Sequence, residues 1–179
     1  MSQQLRTIAR RTLIAALLAG TALNANADVI TDWNLKTGEF IVESKLGTPP
    51  AIRVMALVQT AAYEAVQASR GGASAEAAVA AAHRATLVKL LPAQQAAIEA
   101  AYQVALTSIP EGPAKAAGIV IGERAAGTTL AQRASDSIAA ETYRPHTTAG
   151  AYVPTAAPAA PTWSLRKTWQ MTGPAQFRA

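Results

Sequence analysis

Apolar positions recur along most of this chain with the period of an α-helix, and glycines and prolines fall where each run should end. A first helix is predicted after Asp32, running through Phe40 and Ile41 to about Leu46, with Gly47 as its stop. Thr48 is the expected N-cap of a second helix, with Pro49 and Pro50 in the first turn, where a missing N–H costs nothing. Its inward stripe reads Ile52, Met55, Gln59, Ala62, Tyr63 and Val66, and Gly71-Gly72 ends it. Ser74 should cap a third helix, with Glu76 in its first turn and Val79, Ala82, His83, Thr86, Leu87 and Leu90 along one face. Pro92 breaks that run. A fourth helix carries Ile98, Ala101, Tyr102, Ala105 and Ile109; after the turn Pro110-Glu111-Gly112-Pro113 a fifth spans about Ala114 to Ser135. The fold class that follows is all-α: an alanine-rich bundle of about five helices.

Two segments depart from this pattern. At the N-terminus, Arg6, Arg10 and Arg11 precede an apolar run from Thr12 to Leu23, and Ala25-Asn26-Ala27 places small residues at a cleavage site. That order is a secretory signal, and a run of about 12 residues falls short of the roughly 20 that span a bilayer as a helix. The predicted division is a signal peptide over 1–27, a helical domain over 28–140 and an extended arm over 141–179. Arg10-Arg11 also fits a twin-arginine leader. The expected address is periplasmic or secreted, with no membrane attachment once the leader is cleaved. In the arm, Pro145, Pro154, Pro158 and Pro161 favour an extended path, yet Trp163, Trp169 and Phe177 lie there too. Such aromatics are expected to rest on another surface.

Composition changes the picture in three ways. The leader holds three of the 16 basic residues and none of the 11 acidic ones, leaving 13 against 11, so the pI near 9.9 overstates the basicity of the mature chain. With the remaining cations scattered, nucleic acid is not an expected partner. There is no cysteine, which removes disulfides, thiolate catalysis and thiolate metal sites. Alanine favours helix and lets axes approach closely, but it buries little apolar area. With aromatics only 5% of the chain, the bundle should be marginal alone and better stabilised by packing on something outside it. Gly118 and Gly122, four apart on the fifth helix, should form a flat surface for a neighbouring helix rather than a membrane dimer, because Lys115, Glu123 and Arg124 flank them.

Candidate chemistry is sparse. The sequence has no G-x-S-x-G elbow, phosphate loop, H-E-x-x-H or EF-hand loop. Glu64, Glu76 and Glu99 stand singly on separate helices. His83 reads as a partly buried histidine hydrogen-bonded to a neighbouring helix, His146 with Arg144 as a weak anion-binding pair in the arm, and Lys115 as a solvated surface charge. No residue is assigned a catalytic, cofactor-binding or metal-binding role.

One ordered set of segments says more. Ala27-Asp28-Val29-Ile30-Thr31-Asp32-Trp33-Asn34 follows the leader, and Pro49-Pro50-Ala51-Ile52-Arg53 opens the helix containing Ala61-Ala62-Tyr63-Glu64-Ala65-Val66. Ala80-Ala81-Ala82-His83-Arg84, then Ile109-Pro110-Glu111-Gly112-Pro113-Ala114-Lys115-Ala116-Ala117-Gly118-Ile119, and finally Gln176-Phe177-Arg178 complete it. This set resembles the N-terminal half of secreted bacterial proteins in the vanadium-dependent haloperoxidase and type-2 phosphatidic-acid phosphatase superfamily, across essentially all of the mature chain. The resemblance implies an all-helical fold around a vanadate or phosphate site built from a lysine, two arginines, a Ser-Gly-His segment and a final histidine. Those motifs belong to the family's second half. Here Arg144-Pro145 would need a lysine where Ser137 stands, no Ser-Gly-His occurs, and neither histidine sits in the last motif. The implied role is therefore an N-terminal scaffold, inactive alone, with no cofactor on this chain (vanadate or none in the full-length family). Its implied partner is a catalytic C-terminal half. The alternative is a stand-alone periplasmic helical interaction module, and a homo-oligomer is compatible with either.

Overall fold

The computed structural model describes residues 29–136, 148–156, 158 and 160–177, and the segment 1–27 predicted to be a signal peptide lies outside them. The described residues form five α-helices and no strand: α1 (Val29–Glu43), α2 (Thr48–Ser69), α3 (Ala75–Leu90), α4 (Gln95–Thr107) and α5 (Pro113–Gln132). The all-α bundle expected from the periodicity is what forms.

The helix boundaries follow local chemistry. Ser74 caps α3 through its Oγ, which accepts from the N–H of Ala77 at 3.1 Å and donates to the Glu76 carboxylate at 2.9 Å. Gly71 and Gly72, at φ +119° and +117°, make the turn before it in backbone that a side chain would strain. Two starts differ from expectation. Thr48 is the first helical residue of α2 and Gly47 the cap: the Ala51 N–H that a Thr48 cap would take is bonded to Gly47 O at 3.0 Å, and Pro49 and Pro50 have none to offer. Helix α1 begins at Val29, ahead of Asp32, whose carboxylate sits in the first turn where the helix dipole favours it.

Helix α3 is the centre of the bundle and packs on all four others. From Ala77 to His83 every residue is buried, so this helix has no solvent face over two turns. Its closest neighbour is α5. A Cβ built on Gly118 would fall inside 3.0 Å of the Ser74 carbonyl, and one on Gly122 inside that limit of Ala78 O and 2.8 Å from Ala81 Cβ. The flat surface predicted at these two glycines is thus a helix–helix contact within the chain. Ala61 and Ala65 of α2 close the same layer against Ala78, Ala82, Ala125 and Ala126. A second layer of larger side chains, Trp33, Phe40, Val58, Leu87, Ile98 and Tyr102 among them, joins α1, α2, α3 and α4.

The face of α2 is rotated from its predicted one. Val54, Leu57, Val58, Ala61, Ala62 and Ala65 point inward, while Ile52 and Tyr63 are 62% and 61% exposed. This helix carries apolar residues almost all round, so periodicity alone does not choose among faces. The alanine ridge faces inward because it lets α2 approach α3 and α5 closely.

Two of the three helical glycines of α5 make a clean test. Gly122→Ala should cost about 1–3 kcal/mol, since the new methyl meets backbone that cannot move aside. Gly127→Ala, with open space around it, should gain about 0.5–1 kcal/mol from helix propensity. Thermal melting of both variants beside the parent chain reads the two signs.

Candidate functional site

Four groups of polar side chains are held in or near the interior, and three of them are built around cations. At the C-terminal end of α4, Lys115 is buried, 7% exposed, and its Nζ donates to the carbonyls of Leu106 (2.7 Å) and Ile109 (3.3 Å) and to the Glu111 carboxylate (2.5 Å). The expected solvated surface charge is instead a staple. It satisfies carbonyls that the end of α4 leaves without helical partners, where a cation also meets the negative end of the dipole. A carboxylate four residues before a lysine gave the local half of this arrangement; the bond back to α4 needs the fold.

Nearer the start of α4, Arg84 binds Glu99 at 2.7 Å and also Glu123 of α5 at 3.4 Å, and its guanidinium lies 5.6 Å from the Tyr102 ring centroid. The bond to Glu99 holds the Arg84 proton more firmly than usual, and burial raises the Tyr102 phenol. Glu99 is therefore one arm of a three-helix ion network, whereas Glu76 serves the Ser74 cap. Glu64 lines a shallow cavity of about 230 Å³ beside Arg124.

The third group was not anticipated. Asp136, in the 3₁₀ turn Ala134–Asp136 after α5, is 2% exposed; its Oδ2 accepts from Arg133 Nε at 2.6 Å and from Arg53 Nη2 at 3.5 Å. Arg133 then spends its remaining nitrogens on the arm: Nη1 donates to Thr168 O (2.9 Å) and Nη2 to Lys167 O (2.6 Å), with Trp169 stacked 4.1 Å from its guanidinium carbon. Arg166 donates to Asp136 O at 2.5 Å and lies over Trp163 at 4.8 Å. Two of the arm's aromatics thus rest on arginines of this chain, Trp163 on one of the arm itself and Trp169 on one of the helical unit. Phe177 remains 82% exposed. Arginine suits this junction because one planar group can bond a carboxylate, two carbonyls and an indole face together. The spacing of Arg133 and Asp136 is readable as a helical pair; the 83-residue reach to Arg53 is not.

The fourth group is His83 with Trp33. His83 is fully buried on α3, its Nδ1–H donating to Val79 O at 2.9 Å, and its ring stacks on Trp33 with centroids 5.2 Å apart. The hydrogen bond runs to its own helix and not to a neighbour, because a side chain at i reaches the carbonyl at i−4 directly. Nε2 has no partner among the described residues. Burial lowers the imidazole pKa to about 4, outweighing the bond to Val79, so the ring is neutral near pH 7. A cavity of about 830 Å³ opens on the far side of Trp33, toward Ser74, Glu76 and Lys115. His83 lies behind the indole and does not line it. His146 and Arg144 fall outside the described residues.

Among the described residues no group of three or more His, Cys, Asp or Glu side chains could hold a metal ion, and no helix is long and apolar enough to cross a membrane. No protein-family model, curated protein or solved structure matches this chain.

The buried histidine makes stability depend on pH with a definite sign. Unfolded, His83 takes up its proton near pH 6.5; folded, only near 4. Between those values the unfolded state binds more protons, so stability is complete above pH 6.5 and falls as pH drops, by roughly 3 kcal/mol in all. Urea unfolding at pH 7, 5.5 and 4.5 measures the loss, and His83→Leu should flatten the profile over this window.

Proposed function

We propose that this chain is the N-terminal helical scaffold of an exported protein of the vanadium-dependent haloperoxidase and type-2 phosphatidic-acid phosphatase kind, without catalytic activity of its own. The ordered set of segments from Ala27 to Arg178 is the ground for the family; the geometry supports the scaffold role through one observation. Arg53, Arg84, Lys115 and Arg133, the cations most drawn into the interior, are all bonded to this chain's carboxylates and backbone carbonyls. Activation of a vanadate or phosphate group needs several cations and N–H donors free to converge on it as charge develops in the transition state. Here such groups join helix ends and fasten the arm.

In this reading the bundle supplies a platform for a catalytic half that carries the lysine, arginine, serine and histidine motifs. Exposed apolar side chains on α1, α4 and α5 (Leu35, Val104 and Val120, each more than half exposed) supply surface for such a partner. A second reading, an independent periplasmic helical module, draws support from the arm, which Arg133 and Arg166 fasten to the chain's own helices.

Purified chain from residue 28 onward, assayed with added orthovanadate for bromide oxidation and without it for p-nitrophenyl phosphate hydrolysis, should stay at background in both. Turnover in either assay that vanishes in a His83 or His146 substitution would overturn the scaffold reading.

A further inference from the structure

The end of the bundle where the arm crosses α2 and α5 carries more positive charge than its own fold uses. Two cavities lie there, of about 510 and 440 Å³, and Arg53, Arg133, Trp163 and Arg166 line both. Lys167 lines the larger and Lys89 the smaller, so five cations face these spaces against one carboxylate, Asp136. That carboxylate is already shared between Arg53 and Arg133. Arg133 is saturated by Asp136 and two arm carbonyls, but Arg53 is not: one Nη donates to Arg133 O at 3.2 Å and to Asp136 at a long 3.5 Å, while its Nε–H is buried with no acceptor among the described residues. Lys89 and Lys167 form no ion pair among those residues either. An unneutralised cluster of this size in a partly desolvated recess costs free energy that an anion would recover.

The remaining walls are apolar. Val54, Leu57, Leu90 and Leu130 line the smaller cavity, Ile52 and Met171 the larger, and the Trp163 indole borders both. A fully hydrated dianion would gain charge but waste that surface. A ligand with one acidic head and an apolar body would use both kinds of wall, the usual make-up of a small-molecule site of this volume.

We propose that this recess binds an anionic amphiphile, a single carboxylate or sulfonate on an aromatic or short aliphatic body, with Arg53, Arg166 and Lys89 facing the head group and Trp163 the body. The site is separate from any oxyanion chemistry of a catalytic half and does not rest on the scaffold reading.

The probe is 8-anilinonaphthalene-1-sulfonate, titrated by fluorescence into the folded chain at neutral pH, with octanoate and inorganic phosphate as competitors. Saturable binding at one site, displaced by octanoate and not by equal phosphate, is the expected result. Paired Lys89→Gln and Arg166→Gln substitution should weaken binding by about a hundredfold, about tenfold for each lost charge-assisted contact. Because Arg166 also fastens the arm, Lys89→Gln alone is the second variant: its side chain is exposed, and it should weaken binding without changing the melting temperature. Arg124→Gln, on another face, should leave binding unchanged. Non-saturable fluorescence, displacement by phosphate as readily as by octanoate, or wild-type affinity in both the double and the Lys89 variant would overturn the proposal.

Discussion

Helices surfaced with alanine hold together only when their axes come close, and the contact between α3 and α5 sets how close. Gly118 and Gly122 place bare backbone against Ser74, Ala78 and Ala81, leaving no room for a single added methyl group. Close approach replaces side-chain size as the source of contact: many small dispersion terms over a well-fitted surface do what a few leucines do elsewhere. Because α3 touches every other helix, the position of α5 on it fixes the layer formed by α2. The larger side chains of α1 and α4 then pack on what is left of α3.

Such a core has little apolar area to spare, and charge is used to hold its ends. Lys115 closes the C-terminus of α4, Arg84 ties three helices together from outside, and Arg133 binds the arm through one carboxylate, two carbonyls and an indole. Lys115 and Arg133 are matched to backbone carbonyls at a helix end and along the arm, and Arg84 to carboxylates on two neighbouring helices. The same economy explains why the junction of α2, α5 and the arm is both a fastening and the place where positive charge exceeds what the fold consumes.

Legibility in the sequence followed the range of the interaction. Ser74 with Glu76, Pro92, Gly71-Gly72 and the Gly118/Gly122 pair act within a few residues or through backbone space, and their roles could be read directly. The inward face of α2 could not, because Ile52, Leu57 and Tyr63 present apolar groups on several sides and only tertiary packing selects among them. Lys115 looked solvated since nothing in its own helix announces the carbonyls of Leu106 and Ile109. Arg53 and Asp136 meet across 83 residues of chain, so their pairing depends on a register that periodicity does not carry. For His83, helical phase placed it inward, but the deciding contact is the Trp33 ring from α1. Chemistry was less legible than fold for a physical reason: cations that fasten a structure and cations that bind a substrate are the same residue types, told apart only by what they already touch.

If α3 is the element on which the others depend, its backbone should open only when the whole chain unfolds. Native-state hydrogen exchange at neutral pH measures this directly. Amides from Val79 to Leu87 should exchange with an opening free energy equal to the global unfolding free energy, while those of Arg166 to Thr168 open far more readily. Exchange of the α3 amides through a cheaper local opening, with α1, α2 and α5 still protected, would contradict the account.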